Sequence, residues 1–252
     1  MSAAGPAGGG TVALVPLRDG VSGKSRLASA LDPPARRRLV AALARHVVAV
    51  LQASSGLDRL LVVTADVPFV DETLGLVLDG GSSGSARQFE LPPRAETAAL
   101  AQPVEVIAQP PGRPGLNAAL DVGREAALER GAARLLVAHA DLPLLAPADV
   151  AALLAAGAPT SDEASGEPVV VATDRHLAGT NLLVLPATAE FRFRFGEASR
   201  GAHVAEAERA GLRPVVVHRP GTAVDLDTID DWGELPRAPR DRLRHGLDLP
   251  LP

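Results

Sequence analysis

The stretch TVALVPLRDGVSGKSRL, residues 11–27, runs from an apolar segment into a turn that carries the only lysine of the 252-residue chain. A short apolar run closed by a glycine-containing turn reads as a buried strand, here over residues 11–17. Downstream, Asp32-Pro33 offers an N-cap followed by proline at the first helical position. Leu39, Val40, Leu43, Val47, Val50 and Leu51 then recur at helical spacing, which predicts a helix over residues 33–53. Further strands are expected at 59–64, 104–108 and 134–139, with a helix over 116–129 between the last two. This alternation predicts an α/β fold with a mostly parallel sheet covered by helices on both faces.

The remainder fits around that frame. Residues 169–173 and 181–185 read as two strands facing each other across 174–180. A helix over 201–210, a strand over 215–218 and a short helix over 228–235 follow. Residues 80–102, with Gly-Gly-Ser-Ser-Gly-Ser and a proline pair, read as a surface insertion, and 159–167 as a smaller polar loop. Residues 1–10 are Ala/Gly-rich and are expected to be disordered, and 237–252 reads as a Pro- and Arg-rich tail. That leaves one domain over residues 11–236.

Bulk properties exclude several classes. The formal net charge of -5 argues against a general nucleic-acid surface. Zero cysteines exclude disulfides and thiolate metal sites. No apolar run approaches the ~18 residues of a membrane span, so a cytoplasmic protein is expected. Nothing in the pattern decides oligomeric state, and a homodimer stays open.

The candidate chemistry begins with Lys24. A compact ammonium on a flexible stem suits phosphate as a point charge, and Arg18 and Arg26 add charge to the same turn. Gly23-Lys24-Ser25 is not a P-loop, because Arg18 stands where that motif needs its first glycine. No G-x-G-x-x-G, nucleophile elbow or metal-spaced histidine set occurs either. Asp141, in Ala140-Asp141-Leu142-Pro143, follows a predicted strand and could be a hard oxygen ligand for Mg²⁺ or the cap of the next turn. Asp225 and Asp227 form a second acidic pair, although Asp227 to Asp231 also reads as a helix start. Asn117, opening a helix after Gly115, could hydrogen-bond a base edge. Thr180, Gly196 and Ser199 join glycines that permit close approach to hydroxyl donors, with Ser199 as a helix cap the plain alternative.

Taken in order, these pieces form a pattern: K-S-R-L at 24, G-L-N-A-A-L at 115, A-D-L-P-L-L at 140, G-T-N-L-L at 179, F-G-x-x-S-x-x-x-H at 195 and D-L-D-T-x-x-D at 225. The chain thereby resembles the phosphoenolpyruvate / 2-phospho-L-lactate guanylyltransferase family of coenzyme F-420 biosynthesis, over residues 12–232. The resemblance implies a Rossmann-like, glycosyltransferase-A-type nucleotidyltransferase fold. It implies GMP transfer from GTP to phosphoenolpyruvate or 2-phospho-L-lactate, with Mg²⁺. Lys24 and the neighbouring Arg18 and Arg26 would meet the GTP phosphates, with Asn117 near the nucleotide. Asp141, Asp225 and Asp227 would hold the metal, and Thr180, Gly196 and Ser199 the phospho-acid. A molybdenum-cofactor guanylyltransferase and a non-catalytic nucleotide-binding protein are the competing expectations. His139 departs from the family pattern, which has an apolar or small residue before A-D-L-P.

Overall fold

The computed structural model describes residues 9–18, 24–75, 86–89, 104–158, 166–249 and 251. Strands β1 (Thr11–Pro16), β2 (Arg59–Thr64), β3 (Ala86–Phe89), β4 (Val104–Ala108), β5 (Arg134–Ala138), β6 (Pro168–Thr173), β7 (Thr180–Pro186) and β8 (Arg213–Val217) form one sheet in the order β3-β4-β2-β1-β5-β7-β6-β8. β4, β2, β1 and β5 run parallel, β7 is antiparallel to β5 and β6, and β8 is parallel to β6. The sheet is therefore mixed but mostly parallel, as the strand–helix alternation predicts.

Helices α1 (Pro33–Gln52), α2 (Val67–Leu74), α3 (Leu116–Glu129), α4 (Pro147–Ala156) and α5 (Ser199–Arg209) cover the two faces. Alternate strand residues go to opposite sides. Ala13, Val15, Val62 and Leu136 pack with Val47, Leu51 and Leu153, on the side of α1 and α4. Val12, Leu14, Leu61 and Val137 pack with Leu120, Ala127 and Ala207, on the side of α3 and α5. Gly123 lets α3 lie close on the sheet: a Cβ there would meet Val63 Cγ2 at 2.9 Å. Asp32 caps α1 as expected, accepting from the Ala35 N–H at 2.7 Å.

The last part of the chain holds the main corrections. Residues 237–252, expected as a tail, contain helix α8 (Arg237–Leu247), which follows α6 (Pro220–Ala223) and α7 (Ile229–Glu234). Leu243 and Leu247 pack against a third core made by Leu27, Leu39, Leu43, Leu226, Trp232, Leu249 and Leu251. Within the expected insertion at 80–102, β3 adds an antiparallel edge strand to β4. The rest of that insertion, and the expected disordered segment up to residue 8, lie outside the described residues.

Topology decides where the charged groups meet. The chain leaves β1, β4, β5 and β6 at one edge of the sheet and enters the antiparallel β7 there, with Ala138 beside Leu182. The segments around Lys24, Asn117, Asp141 and Thr180 therefore share the carboxyl edge of the parallel strands, where open α/β sheets bind ligands.

Candidate active site

Lys24 lies at the start of a 3₁₀ turn over Ser25–Leu27, with φ 57 and ψ 34 in the left-handed region. For a non-glycine residue that conformation costs roughly 1–2 kcal/mol. Leu27, 1% exposed, anchors the turn in the third core. Leu226, lying between the two aspartates, enters the same core, so one cluster holds both sides of the site. The Leu226 N–H also donates to the Asp141 carbonyl at 3.1 Å.

The result is an ammonium between two carboxylates. Lys24 Nζ donates to Asp141 Oδ2 at 2.6 Å and to Asp227 Oδ1 at 2.5 Å. The lysine side chain is 7% exposed, against 24% for Asp141 and 43% for Asp227. Burial pulls the Lys24 pKa down, but Asp141 and Asp227 outweigh it and the net shift is upward. Burial pushes the Asp141 carboxyl up, but Lys24 and His139 outweigh it and the net shift is downward. Both partners are thus charged at neutral pH.

Asp225 stands against this trend. Burial pushes its carboxyl up, and the negative charges of Asp141 and Asp227 push it further. Asn181 reaches it, with Nδ2 3.4 Å from Asp225 Oδ1 and 2.9 Å from the Thr222 carbonyl. Asp141 Oδ1 is buried without a hydrogen-bond partner among the described residues. Asp141 and Asp227 share one ammonium, Asp225 lies near enough to feel their charge, and the unpartnered Asp141 Oδ1 is an oxygen available to a cation. Hard oxygen donors of this kind suit Mg²⁺. Among the described residues no three Asp, Glu or His side chains are close enough to chelate an ion together, so the fit rests on that oxygen and the excess negative charge.

Asp227 answers both of its sequence readings at once. Its carboxylate goes to Lys24. The helix start that follows is built instead by Thr228 and Asp231, whose side chains cap each other's backbone N–H at 3.2 and 2.7 Å.

A second group of residues adjoins the first through His139 and Asn181. The His139 N–H donates to the Asn181 carbonyl at 3.2 Å, and its ring lies 5.0 Å from Phe195. Ser199 is 3% exposed and does not cap α5; its Oγ accepts from the Thr180 N–H at 2.9 Å. Thr180 Oγ1 lies 3.0 Å from His203 Nδ1. Gly196 has φ 142, a conformation that favours glycine, and no atom lies within 4 Å of where a Cβ would stand.

Asn117 requires a correction. The amide expected at a base edge holds the Phe195 backbone from both sides, Nδ2 donating to the carbonyl at 3.0 Å and Oδ1 accepting the N–H at 2.9 Å. Arg18 and Arg26 are exposed beside the lysine turn, while Gly23 lies outside the described residues. His203 and Asn181 carry no role in the sequence reading. The alternation Phe191-Arg-Phe-Arg-Phe195 was the available signal, because its buried aromatic face builds the wall against which His203 packs.

An open, mostly parallel sheet carries this lysine–carboxylate centre at its carboxyl edge, where α/β enzymes bind their ligands. The same fold is found in a putative nucleotide-diphospho-sugar transferase from Desulfovibrio desulfuricans, with TM-score 0.62 and 14% identity over 94% of this chain and 96% of that one. A nucleotidyl transferase from Methanothermobacter shares it with TM-score 0.52 and 19% identity, over 94% and 98% of the two chains. Residues 96–240 match the family described as Guanylyl transferase CofC like. The phosphoenolpyruvate guanylyltransferase of Rubrobacter xylanophilus is 37% identical over 88% of this chain and 92% of its own length. That of Sphaerobacter thermophilus is 33% identical over 89% and 92%. The 2-phospho-L-lactate guanylyltransferase of Methanothermobacter thermautotrophicus is 28% identical over 89% and 83%. The chain belongs to the CofC-like guanylyltransferase family.

Proposed function

We propose that this chain transfers GMP from GTP to the phosphate of phosphoenolpyruvate and releases pyrophosphate. The observation that carries the reading is the convergence of Lys24, Asp141 and Asp227 at the sheet's carboxyl edge. The acceptor is taken as phosphoenolpyruvate rather than 2-phospho-L-lactate because the relatives at 37% and 33% identity carry the former name. The product would feed coenzyme F-420 biosynthesis, as the family resemblance implies.

The chemistry agrees with what the site contains. A phosphate oxygen of the acceptor attacks the α-phosphorus of GTP; the new P–O bond forms as the bond to the β-phosphate oxygen breaks. That nucleophile is already an anion at neutral pH, so no general base is required. Positioning and charge neutralisation remain. A Mg²⁺ held by Asp141 together with Asp225 or Asp227 would, when bound, supply charge that offsets repulsion between the two reacting phosphates. Lys24 stays protonated, orients Asp141 and Asp227, and adds one positive charge to the centre. Arg18 and Arg26, exposed on the lysine turn's flanks, would meet the triphosphate. Thr180, Ser199 and the Gly196 backbone bind the acceptor, and Asn117 holds the loop that carries Gly196.

The test is pyrophosphate release from GTP and Mg²⁺ with one acceptor at a time. Phosphoenolpyruvate should support turnover. Turnover with 2-phospho-L-lactate alone would move the acceptor assignment. Turnover only with a pterin phosphate, or with no acceptor offered, would refute the proposed reaction.

A further inference from the structure

The Arg194 backbone N–H donates to His203 Nε2 at 3.0 Å. A peptide N–H is only a donor, so Nε2 carries a lone pair and the single imidazole proton sits on Nδ1. His203 is 0% exposed and packs between Phe191 and Phe195, with ring centroids at 5.7 and 4.6 Å. Burial pulls its pKa down to about 4, with His139 and Arg194 adding to the shift, which keeps it neutral at pH 7. Nδ1 lies 3.0 Å from Thr180 Oγ1, so here the ring donates and the hydroxyl oxygen accepts.

The consequence falls on the Thr180 proton. A hydroxyl has one proton to donate, and with its oxygen engaged by His203 that proton has to point elsewhere. No acceptor for it is found among the described residues. Ser199 repeats the arrangement: its oxygen accepts the Thr180 N–H, and its own proton has no acceptor among the described residues. Two neighbouring hydroxyls thus each take one hydrogen bond from within and keep their proton to offer to a ligand.

We propose that His203 is a positioning residue that turns the Thr180 hydroxyl proton away from its own ring and toward the acceptor subsite, so that this subsite favours a ligand rich in acceptor oxygens, an ionised carboxylate or phosphate. The inference rests on the reading of Thr180 and Ser199 as ligands of the phospho-acid.

A double-mutant cycle tests it, with pyrophosphate release from GTP, Mg²⁺ and phosphoenolpyruvate as the readout. Thr180→Val should raise the KM for phosphoenolpyruvate about tenfold and leave that for GTP unchanged. His203→Leu should do the same, and should add nothing in the Thr180→Val background, because it acts through that hydroxyl. His203→Asn, which keeps an N–H near the Nδ1 position, should recover most of the loss. Additive effects, or equal damage to both substrates' KM, would mean that His203 serves only the fold. Thr180→Val with unchanged phosphoenolpyruvate KM would sink the underlying acceptor reading, and the inference with it. Independently of any variant's folding, ¹⁵N NMR of histidine-labelled protein should show the Nδ1–H tautomer for His203; the Nε2–H tautomer would overturn the inference.

Discussion

Lys24 Nζ stands 2.6 Å from Asp141 Oδ2 although 117 positions separate the two residues along the chain. The contact survives burial because a second carboxylate, Asp227, shares the ammonium, and because Leu27 and Leu226 pin both flanking segments in one core. Desolvating a single ion pair is expensive, and the partial exposure of Asp227 moderates that cost. Replacing Lys24 with the similarly sized but neutral Met leaves Asp141 and Asp227 without the ammonium they share. Lys24→Met should lower kcat/KM at least about a hundredfold, roughly 3 kcal/mol of lost charge stabilisation. Lys24→Arg should not restore activity, since a planar fork cannot replace a point charge between these two oxygens. Steady-state pyrophosphate release decides both.

Asn117 gives a prediction of a different kind. Its two bonds to Phe195 join the start of α3 to the segment that leads into Gly196. Asn117→Leu leaves the Phe195 N–H and C=O without that partner, at a cost of about 1–3 kcal/mol. Urea denaturation should report this loss, and the phosphoenolpyruvate KM should rise more than the GTP KM. Discrimination of GTP from ATP should stay as in the wild type. A relaxed nucleotide preference would return Asn117 to the base edge.

How far the sequence leads can be judged residue by residue. β2, β4 and α3 are legible to the residue, because each keeps a single period between turns that contain glycine or proline. Asp32-Pro33 marked the start of α1 for the same local reason. The α8 helix escaped because its Arg-rich surface outweighs Leu243 and Leu247 in composition, and only the partner face on α1 gives those leucines meaning. α4 was missed too, since Ala and Leu all round leave little periodicity. Within the site, the resemblance pointed to Lys24, Asp141 and Asp227, and the structure brings them together. It could not foresee that Asn117 binds a backbone 78 positions away, or that His203 determines which way a threonine hydroxyl points. Such roles depend on hydrogen-bond direction, which spacing does not encode.

Asp225 is predicted to trade stability against activity. Its raised carboxyl pKa reflects burial first and then repulsion from Asp141 and Asp227. A carboxyl whose folded pKa lies above its unfolded value destabilises the fold at neutral pH. Asp225→Asn removes that charge while keeping the shape, so thermal unfolding should shift to higher temperature. Turnover should fall at the same time, with more Mg²⁺ needed for half-maximal rate. A variant that loses stability instead would show that the Asp225 charge is already compensated.

The depressed pKa of His203 carries a stability prediction that needs no substrate. Its folded value of about 4 lies below the ordinary imidazole value of 6.5, so the neutral ring is favoured in the native state. Such a group contributes fully above the unfolded pKa, and the contribution is lost as pH falls from 6.5 towards 4. Protonation would also place a proton on Nε2, against the Arg194 N–H that now donates to it. The loss should reach at most about 3 kcal/mol across that window. His46 is shifted in the same direction by burial and Arg242, and Asp141, held low, adds its own loss at more acidic pH. The wild-type curve alone therefore does not isolate His203, whereas its difference from His203→Asn does. Urea midpoints measured against pH should show the variant less stable near neutrality and converging on the wild type towards pH 4. Parallel curves across the whole range would mean that the buried ring does not resist protonation.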